Sequence, residues 1–256
     1  MSLEDLALER PDWSDRLPRA FHKPGLYLST GAMWGGKTTS ALLTLEDYMR
    51  PIITRRARTT RRRESDSLAL NALAIGVQPD SNERDLDHET IQSRFVKSNL
   101  LYGIIPAEEP ERLLLEPYAS KPVWFIDEIE FFGPPIVEVI DLAVEQGRMI
   151  FAAGLNRDFA GRPFGQMPRL TALSEPSVRN YASCAVCDEP ASRTQRLISV
   201  DGTYVPAPMD APLISVQGTA GEEYEPRCWH HHEVPGRYEH LVDALRNAIK
   251  QRDDLR

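Results

Sequence analysis

The stretch Gly25-Leu-Tyr-Leu-Ser-Thr-Gly-Ala-Met-Trp-Gly-Gly-Lys-Thr-Thr-Ser-Ala-Leu-Leu-Thr44 decides the fold. Gly31, Gly36, Lys37 and Thr38 have the spacing G-x-x-x-x-G-K-[ST] of a phosphate-binding loop. An apolar run suited to a buried strand precedes the loop, and a helical pattern follows it. A glycine-rich turn that fits by chance is the alternative, and the strand before and helix after the motif argue against it.

The loop predicts a nucleotide site. Its glycines let backbone N–H groups turn toward phosphate oxygens at the positive end of the following helix. Lys37 would reach the β- and γ-phosphates, and the Thr38 hydroxyl would ligate Mg²⁺. The residues predicted to hold the phosphates of ATP in this stretch are Gly31, Gly35, Gly36, Lys37, Thr38 and Thr39.

Composition sets broad limits. The 256 residues are 41% apolar and 27% charged, as in an ordinary globular protein with a sizeable core. The net charge of −8 argues against nucleic acid as a partner. No apolar run approaches the roughly 18 residues of a membrane span, and residues 1–19 are unlike a signal peptide, so we expect a cytoplasmic protein.

A basic run, Arg55–Arg63, stands out from this acidic background. It can be a solvated or nucleic-acid-attracting surface loop. Beside a nucleotide site, one or two of its arginines can instead neutralise phosphates, because a guanidinium matches phosphate in a bidentate fork.

The elements around that run are predicted from pattern and breakers. Thr38–Met49 has helical spacing and Pro51 should end that helix, after which Ile52-Ile53 can start a second strand. Glu64–Glu89 is polar with a short apolar interlude, which predicts a variable loop.

A second acidic motif follows a buried strand. Val123–Ile126 is apolar and leads into Asp127 and Glu128, as in a central parallel strand whose carboxyl end faces a nucleotide. Asp127 is the candidate second carboxylate for Mg²⁺, and Glu128 the candidate general base. Acidic residues at a helix N-terminus are the alternative reading.

Further strands and helices alternate beyond this point. Ile136–Val144 predicts an amphipathic helix and Arg148–Ala153 a buried strand. We therefore predict an α/β fold, a P-loop parallel sheet flanked by helices, followed by a second, small domain. Phe159 and Phe164 in the next loop can cap the core or floor a pocket for a flat base, and composition does not choose between these.

The cysteines predict a metal site. Cys184 and Cys187 form one Cys-x-x-Cys pair, and Cys228 with His231 forms a Cys-x-x-His pair, as in a closed structural zinc site. His230 or His232 could replace His231. A chance pairing or a redox Cys-x-x-Cys is the alternative.

Domain boundaries follow from these motifs. They are an N-terminal extension (1–24), a P-loop α/β domain (25–182), a small zinc-ribbon domain (183–236) and a C-terminal helix (237–256). Glu239–Arg256 carries Leu241, Val242, Leu245 and Ile249 on one face, which predicts a packing helix without a chemical role.

The chain resembles the zinc-containing thymidine kinases. Five stretches carry the resemblance, in the same order as in that family. They are Gly31-Ala-Met-Trp-Gly-Gly-Lys-Thr-Thr39, Ile126-Asp-Glu-Ile-Glu-Phe-Phe132, Ala153-Gly-Leu-Asn-Arg-Asp-Phe-Ala-Gly-Arg-Pro-Phe-Gly165, Cys184-Ala-Val-Cys-Asp-Glu-Pro-Ala-Ser-Arg-Thr-Gln-Arg196 and Tyr224-Glu-Pro-Arg-Cys228. The resemblance covers roughly residues 26–231.

The resemblance implies roles for single residues. Glu128 would take the proton from a nucleoside 5′-hydroxyl, and Tyr224 with the preceding lasso loop of the zinc-ribbon domain, Asp201–Glu223, would cover the nucleoside. Thr194 would lie near the 5-position of the pyrimidine. The implied nucleoside-binding residues are Met33, Phe131, Leu155, Phe159, Phe164, Thr194 and Tyr224.

The chain departs from the family pattern in places. Thr59-Thr60-Arg61 stands where the family has Asp-x-Arg, so Arg61 is the remaining candidate phosphate contact. Glu130 stands where glutamine is usual, and an insertion of roughly fifteen residues separates Arg61 from Ser93-Arg94. The lasso, Asp201–Glu223, is long and proline-rich.

The sequence thus predicts a thymidine kinase that uses ATP and Mg²⁺ and holds a structural Zn²⁺, and the resemblance implies a homotetramer. A kinase for deoxyuridine or a 5-modified pyrimidine deoxynucleoside is one alternative, suggested by Glu130 and the lasso. A nucleotide-binding regulator without turnover and a zinc-ribbon nucleic-acid binder that uses Arg55–Arg63 are the others.

Overall fold

The computed structural model describes residues 9, 11–12, 23–59, 66–80, 90–92, 97–213 and 222–254. They fall into two compact units. The first takes its residues from Met1–Gly31, Gly36–Asn156 and Pro163–Asn180, and the second from Ala32–Gly35, Arg157–Arg162 and Tyr181–Arg256.

The first unit is a sheet covered by helices on both faces. Its strands are β1 (Gly25–Gly31), β2 (Ala74–Pro79), β3 (Thr90–Gln92), β4 (Lys97–Ile105), β5 (Val123–Ile126), β6 (Met149–Leu155) and β7 (Ser174–Asn180), in the spatial order β3-β4-β2-β5-β6-β1-β7. Its helices are α1 (Lys37–Thr59), α2 (Asp66–Leu73), α3 (Ile136–Glu145) and α4 (Met167–Leu173). All neighbouring strands run parallel except β3, which is antiparallel to β4. The predicted α/β fold is confirmed.

Two apolar layers hold this sheet. Along β6, Ile150 and Ala152 face the layer that includes α3, while Phe151 and Ala153 face the layer that includes α1. Side chains alternate across a strand, so a strand buried on both faces must be apolar throughout. All seven residues of β6 are buried, which explains its unbroken apolar sequence.

The register brings the functional strand ends to one edge. Gly31 at the end of β1 pairs with Leu155 at the end of β6, and Ile126 at the end of β5 pairs with Ala152. Since parallel strands share one carboxyl edge, the loops that follow β1, β5 and β6 leave the sheet from the same side.

The predicted helix end at Pro51 is wrong. Helix α1 continues through Pro51 to Thr59, and Ile52 lies in the helix instead of starting a strand. Met49 is 0% and Ile52 1% exposed, so the apolar face of the helix stays in the core on both sides of the proline. That burial outweighs the one backbone hydrogen bond that proline cannot make.

The predicted loop at Glu64–Glu89 is also wrong in its central part. Residues 66–73 form α2 and residues 74–79 form β2, an inner strand between β4 and β5. Val77 is 0% exposed and Gln78 1%. Burial in the folded protein therefore stabilises a strand that the short apolar run in the sequence did not predict. The remaining residues of that stretch, except Asp80, lie outside the described part of the chain.

The second unit contains two small antiparallel sheets and a helix. Strands β8 (Ala182–Ser183) and β9 (Pro190–Ala191) pair with each other, and β10 (Arg193–Val200) lies between β11 (Thr203–Pro206) and β12 (Glu222–Arg227). Helix α5 spans Arg237–Asp254.

The packing role predicted for the C-terminal helix is wrong within this chain. No residue of α5 is buried, and Leu245 is 62% exposed. Leu241 and Ile249 of the same face are also exposed, and Val242 is half-buried. Among the described residues, no helix combines the length and the apolar character needed to cross a membrane.

Candidate active site and metal centre

The first unit brings the phosphate loop and the second acidic motif into contact. The Thr38 hydroxyl, in the first turn of α1, donates to Asp127 Oδ1 at 3.0 Å. Asp127 follows β5 directly and is 5% exposed. A hydroxyl beside a carboxylate offers the oxygen ligands that Mg²⁺ prefers, so this pair fits the predicted magnesium site.

The pKa of Asp127 is raised, because the carboxyl group is buried and lies near a second acid. Burial, and then the nearby Glu128 carboxylate, raise the pKa of Asp127 to about 7, while the Thr38 hydrogen bond and the Lys37 ammonium act in the opposite direction. A bound divalent cation would favour the ionised carboxylate.

Glu128, the predicted base, has an unusual backbone. Its φ of 51° and ψ of 40° lie in the left-handed region, which residues with a Cβ seldom adopt. Its N–H donates to Asp127 Oδ1 at 3.1 Å, and its side chain is half-buried. Strained backbone of this kind concentrates at functional sites, where the surrounding structure enforces it.

The phosphate loop is supported from the edge strand β7. Asn180 Nδ2 donates to Ser29 Oγ at 2.8 Å and to Thr30 O at 3.1 Å, and Ser29 Oγ donates to Lys37 O at 2.9 Å. A Cβ on Gly31 would lie 2.3 Å from Asn180 O, so only glycine fits there. Sequence analysis missed Asn180, because nothing local marks a residue that acts through a neighbouring strand.

The other predicted phosphate ligands lie in the turn before α1 and in its first turn. Gly36 has φ 75°, a left-handed conformation that suits glycine, and Thr39 is half-buried in the first turn of α1. Gly35 N–H donates to Ala32 O at 3.2 Å and closes the turn of the loop. Arg61 lies outside the described residues.

Glu130 is a buried acid with poor hydrogen bonding. It is 2% exposed, and neither carboxylate oxygen has a hydrogen-bond partner of normal geometry. Burial, and then the Glu128 charge, raise its pKa well above the ordinary value, although Lys37 and nearby backbone N–H groups favour the charged form. A Cβ on Gly154 would lie 2.6 Å from Glu130 Oε2, so the acid is packed directly against β6.

Three of the predicted nucleoside residues lie in the first unit. The Phe131 and Phe164 rings meet edge to face, with centroids 5.2 Å apart and planes at 78°. Leu155 and Phe164 are each 8% exposed. This aromatic pair can form part of an apolar wall for a flat base.

The other four lie in the second unit. Thr194 on β10 is 4% exposed, and its hydroxyl accepts a hydrogen bond from Met33 N–H at 3.0 Å. Tyr224 on β12 is half-buried and pairs with Arg196 across the β10–β12 ladder.

Phe159, the fourth residue, belongs to a small core of this unit together with Ala160, Ala207 and Met209. It is 4% exposed, and the Arg196 guanidinium carbon lies 5.3 Å from its ring centroid. Of the two readings of the loop aromatics, the structure supports core packing for Phe159.

Asp158 shapes the loop that presents Phe159, a role that sequence analysis missed. Its carboxylate accepts from Arg162 N–H at 2.8 Å and from Arg162 Nε at 2.6 Å, and it is itself 3% exposed. Aspartate four residues before arginine in a glycine- and proline-containing loop was the available signal.

The second unit also brings the predicted metal ligands together. The ligand atoms of Cys184, Cys187, Cys228 and His231 all lie within 4.8 Å of one another. The structure therefore selects His231 from the three adjacent histidines. His232 instead lies with its Nε2 2.8 Å from Phe159 O, and His230 is exposed.

The cluster has the dimensions of a tetrahedral zinc site. Zn–S bonds of about 2.3 Å place tetrahedral thiolates about 3.8 Å apart. Cys187 Sγ lies 3.8 Å from Cys228 Sγ, and His231 Nδ1 lies 3.3 Å from Cys228 Sγ and 3.7 Å from Cys184 Sγ. The Cys₃His cluster is thus consistent with the predicted zinc site.

Hydrogen bonds from backbone groups lower the pKa of the Cys184 thiol. Burial opposes ionisation of Cys184, but hydrogen bonds from the backbone of Cys228, Val186 and Cys187, with one from His231, lower its pKa to about 6. The thiolate is the form that binds a metal. Four protein ligands leave no open position, so such a metal has a structural role.

One comparison with known proteins bears on this site. The model of the family described as thymidine kinase matches residues 113–232, just under half of the chain. That range includes the acidic motif, the loop after β6 and all four members of the Cys₃His cluster, whereas the phosphate loop precedes it. The match supports a nucleoside kinase of the thymidine kinase type.

Proposed function

We propose that this chain transfers the γ-phosphate of ATP to the 5′-hydroxyl of thymidine, a proposal supported by the match of residues 113–232 to the thymidine kinase family model. The observation that carries the proposal is the contact between Thr38 and Asp127, which joins a phosphate-loop hydroxyl to the acidic motif that also carries Glu128. Phosphoryl transfer depends on positioning and charge neutralisation more than on covalent chemistry, and these residues are suited to both.

Each residue of the first unit would have a defined task. The amides of Gly31 and Gly36 and the Lys37 ammonium would hold the phosphates, while Thr38 and Asp127 would hold Mg²⁺. When bound, Mg²⁺ supplies charge neutralisation on the phosphate oxygens.

Glu128 would act as the general base. Its carboxylate would accept the proton of the 5′-hydroxyl as that oxygen forms its bond to phosphorus, with ADP as leaving group. The half-buried position of Glu128 leaves its side chain partly accessible to a substrate, unlike the buried Asp127 and Glu130. The rigid left-handed backbone at Glu128 would limit the directions in which its carboxylate points.

A second substrate class is favoured by one observation. Glu130 is a buried acid at a position where the family resemblance predicts glutamine, and it lies against Gly154, next to the predicted nucleoside residue Leu155. This change supports deoxyuridine or a 5-modified pyrimidine deoxynucleoside as the alternative acceptor. A nucleotide-binding regulator without turnover remains the alternative from another functional class.

The decisive experiment is ADP release from Mg·ATP with thymidine, deoxyuridine, deoxycytidine and 5-substituted deoxyuridines. We expect the highest kcat/KM with thymidine. Glu128→Gln should lower kcat about 10²- to 10⁴-fold with little change in ATP binding, because only the proton acceptor is lost. If kcat/KM is highest with a 5-substituted deoxyuridine, that nucleoside replaces thymidine as the proposed substrate. If no nucleoside causes ADP release although ATP still binds, the chain is a nucleotide-binding regulator without turnover.

Two further expectations accompany the proposed function, one from the family resemblance and one from the sequence composition. We infer a homotetramer, which multi-angle light scattering of the purified protein tests directly. We also expect a cytoplasmic location, which fluorescence microscopy of the tagged full-length chain would check. The Cys₃His cluster would hold zinc for folding and anchor the strands around the lasso.

A further inference from the structure

A strained tryptophan lies at the tip of the phosphate loop. Trp34 has φ 65°, in the left-handed region that residues with a Cβ seldom adopt. It occupies the turn closed by the hydrogen bond from Gly35 N–H to Ala32 O. Glycine is the residue that such a position normally favours.

Burial alone does not account for this tryptophan. Its side chain remains 41% exposed, so much of the indole gains nothing from the hydrophobic effect. The indole Nε1–H instead donates to the backbone carbonyl of Tyr224, on β12, at 3.2 Å. An enforced, strained backbone with a specific polar contact is the pattern expected of a positioning device.

A second hydrogen bond ties the same turn to the neighbouring strand. Met33 N–H donates to Thr194 Oγ1 on β10 at 3.0 Å. Strands β10 and β12 are paired, with Thr194 opposite Pro226 and Arg196 opposite Tyr224. The turn of residues 32–35 is therefore held at two points on one two-stranded ladder, and both contacts lie inside the second unit.

Trp34 lies close in sequence to the residues that would hold phosphate. Only two residues separate it from Lys37, so a movement of the turn is transmitted along the backbone to the loop residues that would hold phosphate. At the other end of the hydrogen bond, β12 carries Tyr224, which the proposed function assigns to the nucleoside.

We propose that Trp34 is a positioning residue whose indole N–H couples the phosphate loop to β12, so that nucleotide bound at the loop orders β12 and strengthens nucleoside binding. The identity of the second ligand rests on the proposed function, whereas the ordering of β12 does not. Because coupling between two binding sites is reciprocal, nucleoside would strengthen nucleotide binding by the same factor.

The first test needs no nucleoside. Amide hydrogen exchange of peptides covering residues 222–227 is compared with and without Mg²⁺ and a non-hydrolysable ATP analogue, in the zinc-loaded full-length protein. We expect the analogue to slow exchange in the wild type roughly two- to tenfold, the range that one neutral hydrogen bond provides. Trp34→Phe, which removes the indole donor but keeps an aromatic ring, should lose most of this protection.

Trp229→Phe is the matched control. Trp229 is 65% exposed and stacks on Arg193, with 4.3 Å from the guanidinium carbon to the ring centroid, so the same substitution is made in the same unit without removing the Trp34–Tyr224 hydrogen bond. In Trp229→Phe, exchange of residues 222–227 should respond to the analogue as in the wild type. Unchanged protection in Trp34→Phe, or none in the wild type, would overturn the inference.

The second test measures the coupling itself. The Kd for thymidine is determined by calorimetry with and without the Mg²⁺-bound analogue, and the ratio of the two values should fall toward one in Trp34→Phe. Zinc content and thermal stability of the variant should match the wild type, because the substitution leaves the cluster intact and keeps an aromatic ring at this position.

The hydrogen-exchange and calorimetry experiments distinguish failure of the coupling from failure of the proposed kinase activity. Trp34-dependent protection of β12 in a protein that phosphorylates no nucleoside would support the coupling and reject only the kinase. Thymidine phosphorylation with a Kd ratio that Trp34→Phe leaves unchanged would reject only the coupling.

Discussion

The Thr38 hydroxyl donates to Asp127 Oδ1 at 3.0 Å across a sequence separation of 89 residues. This single contact joins the phosphate loop after β1 to the acidic motif after β5. Because Asp127 is buried, the two oxygens are held in a fixed relation, which a magnesium site requires.

Removal of the Thr38 hydroxyl should weaken Mg·ATP binding. Thr38→Val keeps the shape of the side chain but removes a predicted metal ligand and the donor to Asp127, so we expect kcat/KM for Mg·ATP to fall about tenfold or more. Thr38→Ser keeps the hydroxyl and is the matched control, expected to retain most activity. Equal losses in the two variants would show that the methyl group matters rather than the hydroxyl.

The Asp127 carboxylate should make Mg²⁺ binding dependent on pH. Burial and Glu128 raise its pKa to about 7, so the proton competes with Mg²⁺ below that pH. The Mg²⁺ concentration needed for half-maximal nucleotide binding should therefore rise as pH falls from 8 to 6, approaching about tenfold per pH unit. Asp127→Asn should bind weakly at every pH, and a flat wild-type profile would contradict the assignment.

Replacement of Glu130 should stabilise the protein, more so at high pH. The folded-state pKa is raised above the ordinary value of 4.5, so the protonated acid is favoured in the fold at low pH and this contribution is lost as pH rises through the folded-state pKa. Glu130→Gln keeps the shape without a charge. Its thermal midpoint should exceed that of the wild type at pH 8, by about 2–4 °C per kcal/mol relieved, with a smaller gap near pH 5.

Glu138→Gln is the matched control for Glu130→Gln. Glu138 is an exposed acid on α3, and an ion pair with Arg169 lowers its pKa. Glu138→Gln should therefore show no stabilisation that grows with pH. A Glu130→Gln gap that is constant from pH 5 to pH 8 would mean that packing, not charge, distinguishes the variant.

Zinc binding should distinguish two adjacent histidines. His231 Nδ1 lies 3.3 Å from Cys228 Sγ, whereas His230 is exposed. His231→Ala should lower the zinc content well below the expected one ion per chain, and the thermal midpoint with it, because structural zinc contributes to folding. His230→Ala should keep both, as measured by elemental analysis and calorimetry. Zinc loss in His230→Ala alone would reassign the ligand.

Local sequence was sufficient for the motifs that depend on backbone geometry. Gly31, Gly36 and Lys37 specify the phosphate loop by spacing, and the apolar run Val123–Ile126 followed by Asp127 specifies a strand end. The cysteine spacing predicted the metal cluster for the same reason, since two short knuckles supply their ligands locally.

Other features could not be predicted from local sequence because distant contacts decide them. Pro51 signals a helix end, yet the burial of Met49 and Ile52 carries α1 past it. Residues 74–79 became an inner strand only through pairing with β4 and β5 on either side.

Sequence by itself therefore determined the α/β class, the phosphate-loop motif, the acidic strand end and the three cysteines of the metal cluster, because their signals are spacings within short segments. Only the tertiary structure selected His231, supported the phosphate loop through Asn180, and set Trp34 against the Tyr224 carbonyl. Each of these depends on which side chains meet across strands far apart in the chain, and that is fixed by packing and strand order rather than by local preference.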